Sequence, residues 1–283
     1  MPVLLAYPNR TDAATLSGGS WQSALPLTNL QTRKISQVAR STDATNASTQ
    51  FEVILDKSRL IQAMGLINHN LSSLATYQIQ VSNDNFATVA YDSGVQLVWP
   101  IVYPFGILEW EQDNWWSGTY NDEDKVGYNL TFINLMTMGT LCQQIRFFFF
   151  DTSNPAGYIQ IGRLFLAPAY TPTINMSMGA SLGYETNTVV DPTLSGAEYF
   201  DKRTPYRVAK FSLKWMTEDE GMSFAFDMQR LLGIDQEVLF MWDINDTAHK
   251  LRRSFMGRIR TLSQIEMPYV NVLSTPFEIK ELL

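Results

Sequence analysis

Aromatic side chains are concentrated in one segment of the sequence, residues 99–120, which holds four of the seven tryptophans. The stretch 113–124 surrounds its aromatic residues with Asn, Asp, Ser and Gly, a composition typical of a loop. Exposed tryptophan and tyrosine beside such residues can stack on the faces of sugars while the polar groups bind hydroxyls. The aromatic residues of the segment are Trp99, Tyr103, Phe105, Trp110, Trp115, Trp116 and Tyr120.

Three interpretations of this segment stay open from the sequence alone. The first is packing, with Trp99 and Trp110 in the core and the double tryptophan covering one end of the fold. The second is a hot spot of a protein interface, where aromatic residues are enriched. The third is a glycan site. For both binding interpretations the candidate residues are Trp110, Trp115, Trp116 and Tyr120.

Residues that could carry out catalysis are scarce. A Ser-His-Asp arrangement needs a histidine held between nucleophile and acid. The two histidines are His69, where an asparagine-rich turn can satisfy it, and His249, in a predicted hairpin turn. The sequence contains no GxSxG elbow, phosphate-binding loop, HExxH helix or EF-hand loop. No pair of acids is singled out for glycoside hydrolysis, so we predict a non-enzyme without a cofactor.

Metal ligands are equally sparse. The single cysteine, Cys142, allows neither an intramolecular disulfide nor a thiolate metal site, and we expect it to behave as a small buried hydrophobe. Asp122, Glu123 and Asp124 are adjacent on a predicted loop, so their carboxylates point in different directions. A calcium site needs oxygens that converge from alternate positions of a loop. We therefore predict no metal site.

The charge balance limits the partners of the chain. Its net charge of −7 and pI of about 4.9 argue against a nucleic-acid partner, which requires a basic surface. No apolar stretch is long enough for a membrane span, and the N-terminus does not resemble a signal peptide, so we expect synthesis in a cytoplasm without an export route. Only 17% of residues are charged, against about 25% in an average domain, which favours a surface partly covered by partners.

One basic run, residues 249–260, has two interpretations. It is either a solvated face of a hairpin or a docking strip for an acidic neighbour. The candidate docking residues are Lys250, Arg252, Arg253, Arg258 and Arg260.

Short strands dominate the first part of the sequence. In 51–56, Phe51, Val53 and Leu55 alternate with Glu52, Ile54 and Asp56, and 76–82 alternates in the same way. This period of two is typical of a sheet with one buried face. Polar turns separate the predicted strands, as in a sandwich or jelly roll. The predicted strands are 51–56, 63–70, 76–82, 95–103, 128–135, 142–150 and 158–167.

A change of pattern near residue 170 indicates two domains. Pro168 and Pro172 interrupt regular pairing there. Beyond them the pattern predicts strands at 206–216, 237–244, 251–261 and 276–282, and one α-helix over 217–232 that begins with a capping box at Thr217 and ends at Gly233. We predict a mostly β protein. A jelly-roll β-sandwich over 1–170 precedes a smaller β-barrel or sandwich domain over 171–283 that contains the helix.

The first domain resembles the galactose-binding-like, or discoidin-like, β-sandwich family. The segment 39–56 is similar to the family's opening loop and strand, 60–86 to its next hairpin, and 142–170 to its closing pair of strands. The resemblance covers roughly residues 25–170. It implies the fold, which serves sugar, lipid and protein contacts alike.

The whole chain resembles tail-tip or baseplate proteins of tailed bacteriophages, of the distal-tail type. The ending 271–283, with its final Phe-Glu-Ile-Lys-Glu strand, is similar to the close of many phage tail proteins. This resemblance implies a structural component of the virion tail, assembled as a multi-copy ring and bound to other tail proteins. The alternative is a carbohydrate-binding module that recognises surface glycans of the host through the first domain. Assembly is the main hypothesis from the sequence.

Overall fold

The computed structural model describes residues 2–104 and 106–283, and Phe105 of the aromatic segment lies outside the described residues. The chain is mostly β, as predicted. Among the residues described, no helix is long and apolar enough to cross a membrane. The strands of the sandwich are Thr15–Ser17, Ala39–Arg40, Phe51–His69, Thr76–Ser82, Tyr91–Asp92, Gln96–Leu97, Thr131–Phe150 and Gln160–Ala167. The other strands are Leu4–Ala6, Ala169–Tyr170, Ser181–Glu185, Val189–Pro192, Glu198–Asp201, Tyr206–Met216, Val238–Met241, Ser254–Ile259, Glu266–Tyr269 and Val272–Glu281. Short helical turns occupy Thr11–Ala13, Leu27–Gln31, Asn46–Thr49, Asp122–Lys125 and Lys250–Arg253.

Two long antiparallel strands, Phe51–His69 and Thr131–Phe150, connect the layers of the first domain. Their pairing shifts register between Ile54 and Arg59. Irregularities of this kind bend a strand, so each long strand contributes to both layers of a sandwich. One layer contains 15–17, 51–54, 144–150 and 76–82, and the other contains 131–135, 63–69, 160–167 and 39–40. The predicted β-sandwich is confirmed.

The core of the sandwich follows the predicted alternation. Phe51, Val53 and Leu55 are buried, as are Ile79 and Val81 on a neighbouring strand. The same side of each strand therefore faces the space between the layers, where burial of apolar area stabilises the fold.

The predicted strand at 95–103 is wrong over most of its length. Within the described residues it forms a strand only at Gln96–Leu97, and Pro100, three residues later, cannot donate to a ladder. Trp99 nevertheless enters the core, as the packing interpretation expects, and its Nε1 donates to the carbonyl oxygen of Leu71 at 3.1 Å. The chain then continues as an irregular loop that carries the remaining tryptophans of the aromatic segment.

The second sheet includes the N-terminus of the chain. Leu4–Ala6 pairs with Val238–Met241 on one side and with Ala169–Tyr170 on the other. The predicted division at residue 170 places this strand with the first domain, and sequence patterns cannot show so distant a pairing. The strand order across the sheet is Ala169–Tyr170, Leu4–Ala6, Val238–Met241, Ser254–Ile259, Val272–Glu281, Tyr206–Met216 and Ser181–Glu185.

A hydrophobic cluster joins the sandwich to the second sheet. Ala63, Ile133 and Phe165 from the sandwich pack with Leu239 and Met256 from the second sheet, and all five are buried. The two sheets therefore share apolar packing in addition to their separate cores, as expected for parts held in a fixed arrangement.

The predicted helix is present over 218–232, with a π-helical segment, Gly221–Phe226, in its middle. The Thr217 side chain accepts a hydrogen bond from the Glu220 backbone N–H at 3.2 Å, as a capping residue does. The π-turn adds a residue to the helical period and shifts the buried face. The buried residues are Phe224, Ala225, Met228 and Leu232, whereas Met222, Phe226 and Leu231, which fit the 3–4 spacing of the sequence, are exposed.

Candidate functional site

A cleft of about 600 Å³ lies where connections from three parts of the sandwich meet. One wall follows the strand Phe51–His69, a second belongs to the aromatic loop and its short helix, and a third is the turn after Thr131–Phe150. The lining residues are Asn70, Leu71, Ser72, Ser73, Leu74, Asp113, Trp116, Ser117, Asp122, Lys125, Leu130, Ser153, Asn154, Pro155 and Ala156.

An exposed tryptophan cluster stands beside this cleft. Trp116 is 82% exposed and Trp110 is 69% exposed, although each is a large apolar side chain. The ring centroids of Trp110 and Trp116 are 5.8 Å apart at an interplanar angle of 66°, and those of Trp110 and Trp115 are 5.4 Å apart. Trp116 also lines the cleft. The rings therefore pack against one another while leaving apolar surface in contact with water, a combination that marks binding sites.

Two assignments from the sequence need correction. The packing interpretation places Trp110 in the core, but it is exposed because the loop leaves the sandwich after Trp99. Tyr120, proposed as a contact residue, is only 1% exposed, and its hydroxyl donates to the Ala248 carbonyl oxygen at 2.6 Å. Its ring packs edge-on to that of Trp99, so it anchors the loop and does not face a ligand.

Hydrogen bonds hold the polar wall of the cleft in place. Asp151 Oδ2 accepts from the Ser72 backbone N–H at 2.9 Å and from Asn154 Nδ2 at 2.7 Å. Asn154 Nδ2 also donates to the Asn70 carbonyl oxygen at 2.9 Å. The side chain of Asn70 in turn accepts from the Gln160 backbone N–H at 2.7 Å. These bonds tie the loop after His69 to the turn 151–157, so that this wall is preformed before any ligand arrives.

Charged groups of the short helix Asp122–Lys125 also line the cleft. Lys125 donates from Nζ to Ser73 Oγ at 2.9 Å and pairs with Asp122 Oδ1 at 3.3 Å. The Asp122 side chain is 94% exposed, whereas that of Lys125 is 13% exposed. Lys125 Nζ lies 5.1 Å from the ring centroid of Trp99, within the range of a cation–π contact. Asp122 therefore keeps most of its hydrogen-bonding capacity available to a ligand.

A buried histidine immediately precedes the lining residues. His69 Nδ1 accepts from the Leu71 backbone N–H at 3.2 Å, and its ring lies 5.4 Å from that of Trp99. Within the described part of the chain, Nε2 has no hydrogen-bond partner. Burial, with a smaller contribution from the charge of Lys125, lowers the pKa of His69 to about 3. His69 is thus a neutral packing residue at physiological pH.

The basic run does not form one uniform strip of free cations. Lys250 Nζ donates to the Ile133 carbonyl oxygen at 2.7 Å, and burial lowers its pKa to about 8. The four arginines also bond to groups of the same chain. Their partners are Asp124 for Arg252, Asp246 for Arg253, the Ile234 carbonyl oxygen for Arg258, and Glu185 and Glu278 for Arg260. The docking strip stays a prediction, and an acidic partner would compete with these internal acceptors.

Sequence reasoning missed much of the cleft. It proposed Trp116, but not Ser72, Asn154, Asp122 or Lys125 as lining residues. Their signal was weak, because each lies in a short polar turn of the kind that any β-sandwich contains. Cys142 is buried as expected, and burial raises the pKa of its thiol to about 12.

No protein-family model matches the sequence, and no curated protein matches it either. Solved structures that are similar to the chain include the family 32 carbohydrate-binding module of C. perfringens NanJ in complex with galactose. It is 14% identical, covers 59% of this chain and 99% of its own, and has a TM-score of 0.39.

Two other structures show a similar level of likeness. CBM32-1 from a family 31 glycoside hydrolase of Clostridium perfringens is 9% identical with a TM-score of 0.38, over 57% of this chain and 99% of that one. Chitosan-binding module 1 from a chitosanase/glucanase of Paenibacillus sp. IK-5 is 13% identical with a TM-score of 0.36, over 57% and 100%.

Proposed function

We propose that this chain is a carbohydrate-binding protein whose cleft holds a sugar against Trp116. The observation that carries the proposal is the position of this side chain. Trp116 is 82% exposed and lines a cleft of about 600 Å³ whose facing wall consists of short polar residues fixed by hydrogen bonds. A flat aromatic face in the same cleft as hydroxyl and carboxylate groups matches the apolar face and the polar edge of a pyranose ring.

The chemistry of sugars explains why both walls are needed. One face of a pyranose presents C–H groups that pack on an aromatic ring, and its edge presents hydroxyls that need donors and acceptors. Asp122 and Lys125 offer such groups on the wall of the aromatic loop, and Ser73 offers one on the wall that follows His69. Apolar contact combined with a few placed polar groups is the usual composition of a small-molecule site.

The charge of the cleft favours particular sugars. Among the described lining residues, the charged ones are Asp113, Asp122 and Lys125, and Lys125 already pairs with Asp122. One carboxylate is therefore left without a balancing cation, on a chain whose net charge is −7. Neutral sugars and amino sugars fit this field, and uronic acids and sialic acids are disfavoured by like charge.

A glycan array with variants tests this proposal. The Trp116→Ala variant should lose about 30-fold in affinity for the glycan that wild-type protein prefers, the loss typical of a buried aromatic hot spot. The matched control is Trp215→Ala, which removes a half-exposed tryptophan that stacks on Tyr269 in the second sheet. Equal binding by both variants, or a wild-type preference for uronic acids, would refute the proposed site.

Assembly into a larger structure, such as the virion tail predicted from the sequence, is a second candidate. It is favoured by the hairpin of Val189–Pro192 and Glu198–Asp201, whose two strands pair with no other strand among the residues described. The hairpin exposes several apolar side chains, as association surfaces do. These side chains are Val189, Val190, Leu194, Tyr199 and Phe200.

Light scattering over a concentration series tests this second candidate. If the hairpin mediates association, wild-type protein should gain mass with concentration and Phe200→Asp should remain a monomer. Met138→Asp is the matched control, because Met138 is equally apolar and exposed but lies on the sandwich. If wild-type protein is a monomer at all concentrations, the hairpin does not mediate self-association. That result leaves the proposal of glycan binding unchanged.

A further inference from the structure

The loop that carries Trp110 and Trp116 has little regular structure of its own. Between Gln96–Leu97 and Asp122–Lys125, the described residues form neither a strand nor a helix. The exposed tryptophans Trp110 and Trp116 contact one another, so their common position depends on how the rest of the loop is held. Segments with few buried contacts open at low free-energy cost, so a binding loop of this kind requires anchors.

Anchors for the loop come from the second domain. Arg252 Nη2 donates to Asp124 Oδ1 at 2.8 Å, and the other oxygen of Asp124, Oδ2, accepts from the Tyr103 hydroxyl at 3.0 Å. The Tyr120 hydroxyl donates to the Ala248 carbonyl oxygen at 2.6 Å. Asp124 therefore connects the start of the loop, at Tyr103, with its end and with the second domain.

The anchoring segment, residues 248–252, is itself held firmly. Leu251 is buried and belongs to the hydrophobic core of the sandwich, although in the chain it lies between two strands of the second sheet, Val238–Met241 and Ser254–Ile259. Next to it, Lys250 Nζ donates to the Ile133 carbonyl oxygen at 2.7 Å. Because Lys250 and Leu251, the two residues before Arg252, are held in this way, the backbone that carries Arg252 is fixed opposite Asp124.

The consequence for the cleft follows from the sequence spacing. Asp124 lies in the single turn Asp122–Lys125, whose other members Asp122 and Lys125 line the cleft. The Asn121 side chain caps this turn by accepting from the Asp124 backbone N–H at 2.7 Å. A force that fixes Asp124 therefore also fixes the two charged residues of the cleft wall.

We infer that Arg252 and Asp124 are positioning residues of the sugar site, through which the second domain holds the aromatic loop and the cleft wall in their binding geometry. The inference rests on the proposed function. It assigns to the second domain a part in ligand recognition, and it explains why the acid at 124 faces Arg252 and Tyr103 while Asp122 faces the cleft.

A double-mutant cycle on the full chain tests this inference. The variants are Arg252→Gln, Asp124→Asn and the two combined, and the probe is the glycan that the array selects for wild-type protein. Each single variant should weaken binding about three- to tenfold. The double variant should bind as tightly as the more impaired of the two single variants, because the two residues act as a unit. Arg252→Lys, which keeps the charge near Asp124, should recover part of the loss.

The matched control is Arg230→Gln, which removes an exposed ion pair with Asp227 on the helix of the second domain. It should leave the affinity within about twofold of wild type, since exposed pairs contribute little. Near-UV circular dichroism and acrylamide quenching report the packing and exposure of the tryptophans that contact one another in the loop. Both signals should change in Arg252→Gln and not in Arg230→Gln, while the far-UV signal of both variants stays unchanged.

The outcomes separate the two claims. If Arg252→Gln and Asp124→Asn bind the glycan as tightly as wild type, the positioning role is overturned and the proposed function stands. Independent, additive losses also overturn it. If wild-type protein binds no glycan, the proposed function is wrong, and the circular dichroism and quenching data alone decide whether Arg252 holds the loop.

Discussion

Replacing His69 tests how tightly the structure encloses the floor of the candidate site. His69 is buried, its Nδ1 accepts from the Leu71 backbone N–H at 3.2 Å, and burial lowers its pKa from 6.5 to about 3. Because the pKa is lower in the folded chain than in the unfolded chain, the unfolded chain takes up a proton first as the pH falls. The native protein should lose stability from about pH 6.5 down to about pH 3.

The magnitude follows from the pKa difference. At pH 4.5 the unfolded histidine is protonated and the folded one is not, so two pH units at about 1.4 kcal/mol each give a loss of about 3 kcal/mol relative to neutral pH. Carboxylates titrate in the same range and also change the free energy of unfolding. Subtracting the pH dependence of a variant without the histidine from that of wild type isolates the contribution of His69.

His69→Asn is the suitable variant, because its side-chain oxygen can replace Nδ1 as acceptor for the Leu71 N–H. It should be less stable than wild type at pH 7, since its contact with the Trp99 ring is lost. Urea unfolding followed by tryptophan fluorescence at pH 7 and pH 4.5 measures both proteins. Between pH 7 and pH 4.5, wild type should lose about 3 kcal/mol more of its free energy of unfolding than the variant does, so the difference between them shrinks or changes sign. Parallel pH dependences would contradict the buried, neutral state of His69.

Two further predictions concern the stability of the fold. Glu237→Gln should destabilise the protein by about 3 kcal/mol in urea unfolding, because the fully buried Arg163 loses the charge that Glu237 Oε2 presents to its Nη2 at 2.9 Å. Glu237→Asp should recover little of this stability. A loss below about 1 kcal/mol would mean that Asp12, 2.6 Å from the same guanidinium, is enough to balance the buried charge. Thr217→Ala removes the capping acceptor of the helix and should cost about 1 kcal/mol, whereas Thr217→Ser should cost almost nothing; equal stability of the two variants would refute the cap.

The sandwich could be predicted because its signal is local. Phe51, Val53 and Leu55 alternate with more polar neighbours, and the structure buries them as expected. The continuity of the long strands could not be predicted, since Lys57 and Ser58 interrupt the apolar pattern at the point where the strand bends and leaves its ladder. Local composition predicts a break there, whereas the pairing on either side keeps the strand extended.

Long-range pairings and shifts of phase set the other limits. The pairing of Leu4–Ala6 with Val238–Met241 joins residues more than 200 positions apart, which no local pattern encodes. In the helix, the π-turn at Gly221–Phe226 moves Phe224 into the core and Phe226 out of it. A spacing of three to four residues assumes regular α-geometry and fails where that geometry changes.

The candidate site could be predicted only in part. Trp116 follows from composition, because a double tryptophan among polar residues indicates an exposed loop. Tyr120 lies in the same polar surroundings in the sequence as Trp116 but is buried, since its hydroxyl donates to the carbonyl oxygen of Ala248, which is distant in the sequence. The facing wall depends on Asn70 and Asn154, which the fold brings together from separate turns.

Isothermal titration of wild-type protein and of Trp116→Ala with one neutral sugar or amino sugar, the preferred ligand of the array, is the most direct test of the central claim. The account predicts saturable binding by wild type at one site per chain, a loss of about 30-fold in Trp116→Ala and no loss in Trp215→Ala. Binding of equal strength in all three proteins, or binding removed by Trp215→Ala instead, would show that the cleft beside Trp116 is not the sugar site.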